Sequence, residues 1–345
     1  MKRIRVLIVD DSPTMLQLVA NVLNADLDIE VVAKVPDAAS ARQAIKDLNP
    51  DVMTLDVEMP RMNGIEFLEK VMRLRPMPVV MVSTLTSKGS EIAIHALQLG
   101  AIDCVVKPTA NNPDSFDQLP EKIKIAAQSN MRARLSPLVA ALAQTREQKD
   151  FRPGAKIVAI GSSTGGVEAL ISVLSAYPEH CAPTVITQHM PPHFTTSLAT
   201  RLDRLCAAKV VEASEGMTLK SGHVYLAPGG DAHLEIIGRG LYSCRLRRGE
   251  TVNGHRPSVD VLFHSVSRCA GAQCVGVILT GMGRDGAAGL LEMREQGART
   301  IGQNEATSVV YGMPKAAFDM GAVGLQLPIE KIGHEISSLT ASAFA

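Results

Sequence analysis

From its fourth residue the chain alternates short runs of β-branched and aliphatic residues with stretches patterned for helix, and this alternation leaves few folds open. Ile4–Val9, Glu30–Val35, Val52–Leu55, Val79–Val82 and Ile102–Val106 read as strands, with a helix from about Pro13 and another ending near Leu48 between the first three. A strand, a helix and a second strand in succession predict a βαβ unit with parallel strands. Five such units fit in residues 1–125, the size of a flavodoxin-like doubly wound domain. From 126 to 153 the pattern turns charged and glutamine-bearing, and Met131, Leu135, Leu138, Val139 and Leu142 fall at helical spacing, which predicts a partly helical linker. A second alternating series occupies 154–345, through Lys156–Ile160, Thr184–Thr187, Val224–Leu226, a hairpin around Gly238–Gly240, and Val275–Thr280. The expected fold class is therefore α/β, with two doubly wound, mainly parallel domains. In such sheets ligands bind beyond the carboxyl ends of the strands, so chemistry is to be sought where the strands stop.

Composition narrows the function. The 345 residues are 46% apolar, enough for two cores, and 35 lysines and arginines balance 35 aspartates and glutamates. No net positive field draws the chain to nucleic acid or anionic membranes, and no basic helix-turn-helix is present. Tryptophan is absent and aromatics are 3%, which leaves little for base-stacking platforms. The first residues run from basic positions into a short strand ending in acid, unlike a signal peptide or membrane span, so a cytoplasmic protein is expected. Cys104, Cys181, Cys206, Cys244, Cys269 and Cys274 lack metal-site spacing and read as reduced, buried thiols.

Three carboxylates fall at expected strand ends, Asp10 and Asp11 after the first and Asp56 after the third. Carboxylates gathered at one sheet edge raise one another's pKa unless a cation neutralises them, and such hard oxygen ligands suit Mg²⁺. Ser83 ends the fourth strand and Lys107 follows the fifth, adding a hydroxyl and a positive charge. Together these are the parts for phosphoryl transfer onto a carboxylate. The competing reading makes each aspartate a helix N-cap, which fits any one of them but not five positions in register with five strand ends.

In the second half, Gly161-Ser162-Ser163-Thr164-Gly165-Gly166 follows a strand and precedes a helix expected over Val167–Ala176. This is the G-x-S-x-G pattern of a nucleophile elbow, in which a sharp turn lifts Ser163 out of the sheet at a helix N-terminus. A glycine-rich phosphate cradle is the competing reading, although the lysine of a P-loop is missing. Among nine histidines His189 is best placed to serve as base, since it ends the next strand. Asp285 follows the strand Val275–Thr280 through Gly281-Met282-Gly283-Arg284 and could orient that base, or else cap the helix through Leu291. The backbone amide of Met282 is a candidate oxyanion donor.

The first half resembles response-regulator receiver domains through "VLIVDDSP", "DVMTLDVEMPRMNG", "VVMVSTLT" and "AIDCVVKP", in that order. The resemblance implies that Asp56 accepts the phosphoryl group, that Asp10 and Asp11 hold Mg²⁺ with it, that Ser83 is the switch hydroxyl, that Lys107 contacts the phosphoryl group, and that the Lys107–Pro108 bond is cis. Cys104 stands where receivers commonly carry a tyrosine or phenylalanine. The second half, from about Ile157 to Ala322, resembles the catalytic domain of chemotaxis protein-glutamate methylesterases through "AIGSSTGGVEAL", "TQHMPPHFTTSLATRL", "VYLAPGGDAHL", "RPSVDVLFHSV", "LTGMGRDGAAGL" and "VVYGMPKAA". That resemblance implies a triad of Ser163, His189 and Asp285 with Met282 at the oxyanion, acting on glutamate γ-methyl esters of chemoreceptors and deamidating receptor glutamines. It also implies a histidine kinase as phosphodonor, no cofactor for ester hydrolysis, and a receiver that covers the esterase site until phosphorylated. Ser162 stands where alanine is frequent and Asn304 where aspartate is. A rival expectation, a receiver fused to a non-catalytic binding module, predicts that serine-directed reagents leave Ser163 unlabelled.

Overall fold

A computed structural model describes residues 2–59, 62–84, 86–109, 113–131 and 151–342. The chain divides into two compact units, Met1–Met131 and Arg132–Ala345. Most of the expected linker helix falls on 132–150, outside the described residues.

The first unit is built on five strands, β1 (Ile4–Val9), β2 (Ile29–Val35), β3 (Val52–Asp56), β4 (Val79–Ser83) and β5 (Asp103–Val106), all parallel and in the order β2-β1-β3-β4-β5. Parallel neighbours need crossovers, supplied by α1 (Pro13–Asn24), α2 (Ala38–Leu48), α3 (Gly64–Leu74) and α4 (Ser87–Leu99), with α5 (Leu119–Gln128) after the last strand. Because helices cover both faces, β3 and β4 are buried at every residue and their sequences, Thr54 excepted, run apolar until the polar last positions, Asp56 and Ser83. The chain passes from β1 to β2 on one side and then to β3 on the other. The ends of β1 and β3 therefore flank the switch point of the sheet.

The second unit repeats this logic with seven parallel strands: β6 (Ile157–Ser162), β7 (Thr184–Gln188), β8 (Lys209–Glu212), β9 (His223–Leu226), β12 (Cys274–Ile278), β13 (Arg299–Gln303) and β14 (Leu325–Leu327), in the order β14-β13-β12-β6-β7-β9-β8. The antiparallel hairpin of β10 (Ala232–Arg239) and β11 (Leu241–Arg248) forms its own two-stranded sheet and turns at Gly240, whose φ of +75° suits glycine. Helices α6 (Gly166–Ser175), α7 (Phe194–Leu205), α8 (Val259–Ala270), α9 (Ala287–Glu295), α10 (Met313–Asp319) and α11 (Ile329–Thr340) complete the unit. Leu234, Ile236 and Cys244 of the hairpin share a core with Leu262, Phe263 and Val266 of α8, and each large apolar side chain so buried contributes about 1.5–3 kcal/mol. The hairpin thereby anchors the segment that enters α8. Central β6 lies between β12 and β7, so three strand ends meet at the second switch point.

Three strands escape the sequence pattern for physical reasons. Strands β8 and β14 are sheet edges, half exposed and weakly apolar. Strand β13 is polar because its end serves other loops: Gln303 Oε1 accepts from Thr280 N at 2.7 Å. The Lys107–Pro108 bond, expected cis, is not; among the described residues the cis bond is Arg256–Pro257. Trans is the lower-energy form of an X–Pro bond by about 0.5–1 kcal/mol, and it prevails at Pro108.

Candidate active site and acidic cluster

In the first unit the strand ends collect the acids as expected. Asp10, Asp11 and Asp56 each offer a carboxylate oxygen, all within 4.8 Å of one another. Lys107 Nζ lies 2.9 Å from Asp10 Oδ2 and 2.9 Å from Asp56 Oδ2. Helix capping is not what the acids do: α1 is capped by Ser12, whose Oγ accepts from Met15 N, while Asp10 Oδ1 accepts from Ser12 N at 2.9 Å. Burial pushes the Asp56 carboxyl up to about 6, with Asp10 adding to the rise and Lys107 opposing it. Burial would lower the Lys107 ammonium, but its bonds to Asp56 and Asp10 hold it above its ordinary value. Lys107 thus pairs with two of the three clustered carboxylates. The excess negative charge and the all-oxygen donor set fit a hard divalent ion such as Mg²⁺. Ser83 is brought to the same edge by its strand, yet its hydroxyl lies 3.3 Å from Gly89 O rather than on the acids. Cys104 is buried, and burial pushes its thiol up to about 12, so it behaves as a small hydrophobe.

In the second unit Ser163 follows β6 directly and stands half buried at the mouth of α6. The elbow is tight on every side. Gly165 takes φ +77°, a conformation other residues avoid. A Cβ at Gly281 would sit 2.5 Å from Met313 Sδ and 2.7 Å from Ser163 Cβ, so the loop after β12 closes on Ser163 only because residue 281 has no side chain. Ser163 N donates to Thr280 O at 3.0 Å and Gly166 N to Ser163 O at 2.7 Å. These bonds fix the serine backbone against the loop after β12 and within the turn into α6.

His189 follows β7, and its N–H donates to Ser162 O at 3.1 Å. Gln188 joins the two strand ends, for its Nε2 donates to Ser163 O at 2.9 Å and to His189 O at 3.2 Å. Ser162, in the position where alanine is frequent, is buried and donates to Gln188 Oε1 at 2.6 Å, which explains why a hydroxyl is tolerated there. Asn304 is explained as well: its Oδ1 accepts from Thr307 N and Oγ1, an oxygen role that aspartate fills equally.

His189 Nε2 lies 2.8 Å from Asp285 Oδ2. Nδ1 of the same ring is buried without a hydrogen-bond partner, and no hydrogen bond joins Ser163 Oγ to it. Such reacting pairs are commonly open before substrate binds. Asp285 is 1% exposed and does not cap α9, where Gly286 holds the cap position. Instead its Oδ2 accepts from Val259 N at 2.7 Å, and its Oδ1 from Ser258 Oγ at 2.8 Å, Asn253 Nδ2 at 2.9 Å and Asp260 N at 3.2 Å. The N-terminus of α8 is thus aimed at the carboxylate. Burial alone would push this carboxyl up. The bond and charge of His189, with Asn253 and Val259 N–H, override it and hold the group far below the usual carboxylate range. Met282 is 39% exposed, and its backbone N–H has no hydrogen-bond partner among the described residues, so it remains available to an oxyanion.

Sequence reasoning missed Gln188, Asn253, His255 and Ser258. His255 stacks on His189 with ring centroids 3.7 Å apart and planes at 15°. The signal that could have found this segment was Asn253-Gly254, a dipeptide that marks tight hairpin turns. His193, His233 and His264 stay outside the arrangement: His193 precedes α7, buried His233 bonds Glu250 O and Ser258 N, and His264 pairs with Glu292.

The response regulator receiver domain description matches residues 6–115 and the CheB methylesterase description residues 158–336. The chain is 59% identical over 338 residues to an Agrobacterium fabrum protein-glutamate methylesterase/protein-glutamine glutaminase, covering 97% of this chain and 96% of that one. It is 56% identical to a Caulobacter vibrioides protein-glutamate methylesterase/protein-glutamine glutaminase 1 over 344 residues, 99% of each. The crystal structure of the Thermotoga maritima CheB methylesterase catalytic domain matches with 39% identity and a TM-score of 0.53, covering 54% of this chain and all of that one. With both halves matched in order and near-full-length relatives at this identity, the chain belongs to the CheB methylesterase family and carries a response regulator receiver domain at its front.

Proposed function

We infer that this chain is a phosphorylation-activated protein-glutamate methylesterase and protein-glutamine glutaminase acting in chemotaxis, in the cytoplasm, on the cytoplasmic helices of chemoreceptors. The observation that carries the reading is the buried His189–Asp285 pair, with its unpartnered Nδ1, set beside the Ser163 elbow on neighbouring strand ends. Nδ1 removes the Ser163 proton as Oγ attacks the γ-carbonyl carbon of a glutamyl methyl ester. The oxyanion so formed is met by Met282 N–H. Collapse breaks the bond to the methoxy oxygen, which leaves as methanol with the proton from Nδ1. Water then attacks the acyl-enzyme, giving its proton to Nδ1, and the glutamate carboxylate departs as Ser163 recovers its proton. With a glutamine substrate the same steps release ammonia. Asp285 holds the proton-bearing Nε2 and balances the imidazolium.

For the receiver, Asp56 is the acceptor of phosphate from a histidine kinase, and Asp10, Asp11 and Asp56 hold Mg²⁺. The metal would neutralise charge on the transferring phosphoryl oxygens when bound, and Lys107, whose Nζ lies 2.9 Å from Asp10 and from Asp56, supplies positive charge from the chain itself. The domains are taken as receiver over 1–125, linker over 126–153 and esterase over 154–345. No helix among the described residues is long and apolar enough to cross a membrane.

Methanol release from methylated receptor membranes tests the reading, with and without a small-molecule phosphodonor and Mg²⁺. Release should rise with phosphodonor in the wild type, stay at the basal level in Asp56→Asn, and vanish in Ser163→Ala. Equal release by Ser163→Ala would remove the nucleophile assignment. Absence of release in every arm would favour the binding-module alternative.

A further inference from the structure

The turn Val252–His255 grips both members of the His189–Asp285 pair. Val252 N donates to His255 O and His255 N to Val252 O, both at 3.0 Å, which closes a two-residue loop. Its central residues, Asn253 and Gly254, have φ of +53° and +78°. Positive φ at both positions defines the hairpin turn for which Asn-Gly is the favoured pair. From the first position Asn253 Nδ2 donates to Asp260 Oδ2 at 2.7 Å and to Asp285 Oδ1 at 2.9 Å. From the closing position His255 lies flat on the ring of His189. The turn is tied down behind them, since Arg256 donates to Gly230 O and Gly249 O at 2.9 and 2.7 Å.

One hydrogen bond at Nε2 fixes where the His189 ring begins but leaves the ring free to roll about that bond. A flat contact on one face removes that freedom. Roll matters because the opposite nitrogen, Nδ1, must meet Ser163 Oγ. The stack has a second effect once the proton has moved, for a cation over a ring face is attracted to it.

We infer that His255 is a positioning residue for ester hydrolysis: its stacked ring holds His189 with Nδ1 toward Ser163 and stabilises the imidazolium formed there. This rests on the reading of Ser163 as nucleophile and His189 as base. The proton leaves Ser163 Oγ, resides on His189 Nδ1 and departs on the methanol oxygen, so His255 neither gains nor loses one. The role asks for a flat face on His189, so another aromatic ring should serve in its place.

The test uses the full-length chain, phosphodonor and methylated receptor membranes, with kcat and KM for His255→Ala, His255→Leu and His255→Phe. Leucine and phenylalanine both fill the space, and only phenylalanine offers a π face. His255→Ala and His255→Leu should lose roughly ten- to thirtyfold in kcat with KM within about twofold of wild type, while His255→Phe stays within about threefold in kcat. A kcat of His255→Leu matching that of His255→Phe would overturn the inference, as would phenylalanine as impaired as alanine, which would assign the role to a ring nitrogen. Circular dichroism melts separate these outcomes from misfolding, and the Leu/Phe comparison stands if His255→Ala fails to fold. Undiminished turnover in Ser163→Ala would instead overturn the underlying nucleophile assignment.

Discussion

Asp285 stays ionised inside the second unit because five donors point at its two oxygens. Replacement by asparagine keeps the shape but puts an NH₂ where an acceptor is required. Asp285→Asn is expected to lower kcat by about 10³–10⁴-fold through the wrong imidazole tautomer, measured as methanol release. Its stability carries a sign as well. A carboxyl held below its unfolded value of 3.8 contributes stability above that value and loses it as pH falls through the folded one, so Asp285→Asn should be less stable than wild type at pH 7 and the gap should shrink below about pH 4 in urea titrations. At Gly281 the argument is steric. A methyl group there meets Met313 Sδ and Ser163 Cβ well inside contact distance, so Gly281→Ala should cost at least about tenfold in kcat while the melt stays cooperative.

At the scale of elements, the acidic cluster is the ends of β1 and β3 brought together by sheet order, and its cost falls on Asp56. A carboxyl raised to about 6 in the folded state stabilises the fold only while protonated: its contribution is complete below 3.8 and gone above about 6. Asp56→Asn should therefore raise the receiver's stability at pH 7.5 in metal-free buffer by on the order of 3 kcal/mol, converge with wild type near pH 4, and gain less than wild type from added Mg²⁺. Calorimetry at the two pH values checks this. The acids, Lys107, Ser163, His189 and Asp285 were legible in the sequence because each sits at the end of, or in the loop after, a mostly buried strand rich in β-branched and aliphatic residues. Asn253, His255 and Ser258 were not, because they reach the site from a turn and a helix cap whose place in space depends on how the β10–β11 hairpin packs on α8. The same limit hid β8 and β14, whose edge positions leave half of each strand exposed.

Across the whole molecule, each unit has its own parallel sheet and its own core, and the solved Thermotoga maritima catalytic domain stands alone as a crystal structure. Inhibition by the receiver, which the resemblance to chemotaxis methylesterases implies, would require an interface whose stability differs between its two phosphorylation states. A fragment beginning at Ala155 should release methanol faster than the unphosphorylated full chain, and phosphodonor should leave the fragment unaffected. Equal rates for fragment and full chain would dispose of inhibition by occlusion.

The sheet order also sets a clock. All five strands of the receiver lie within the first 106 residues, whereas the elbow of Ser163 is completed by Thr280, whose Oγ1 bonds Thr164 O across 116 residues of chain. During synthesis the receiver can finish folding while the nucleophile still lacks β12, the Gly281 loop and Asp285. A nascent chain thus carries its regulator before it carries a working hydrolase, and a ribosome stalled anywhere before residue 280 holds a product that is inert toward esters.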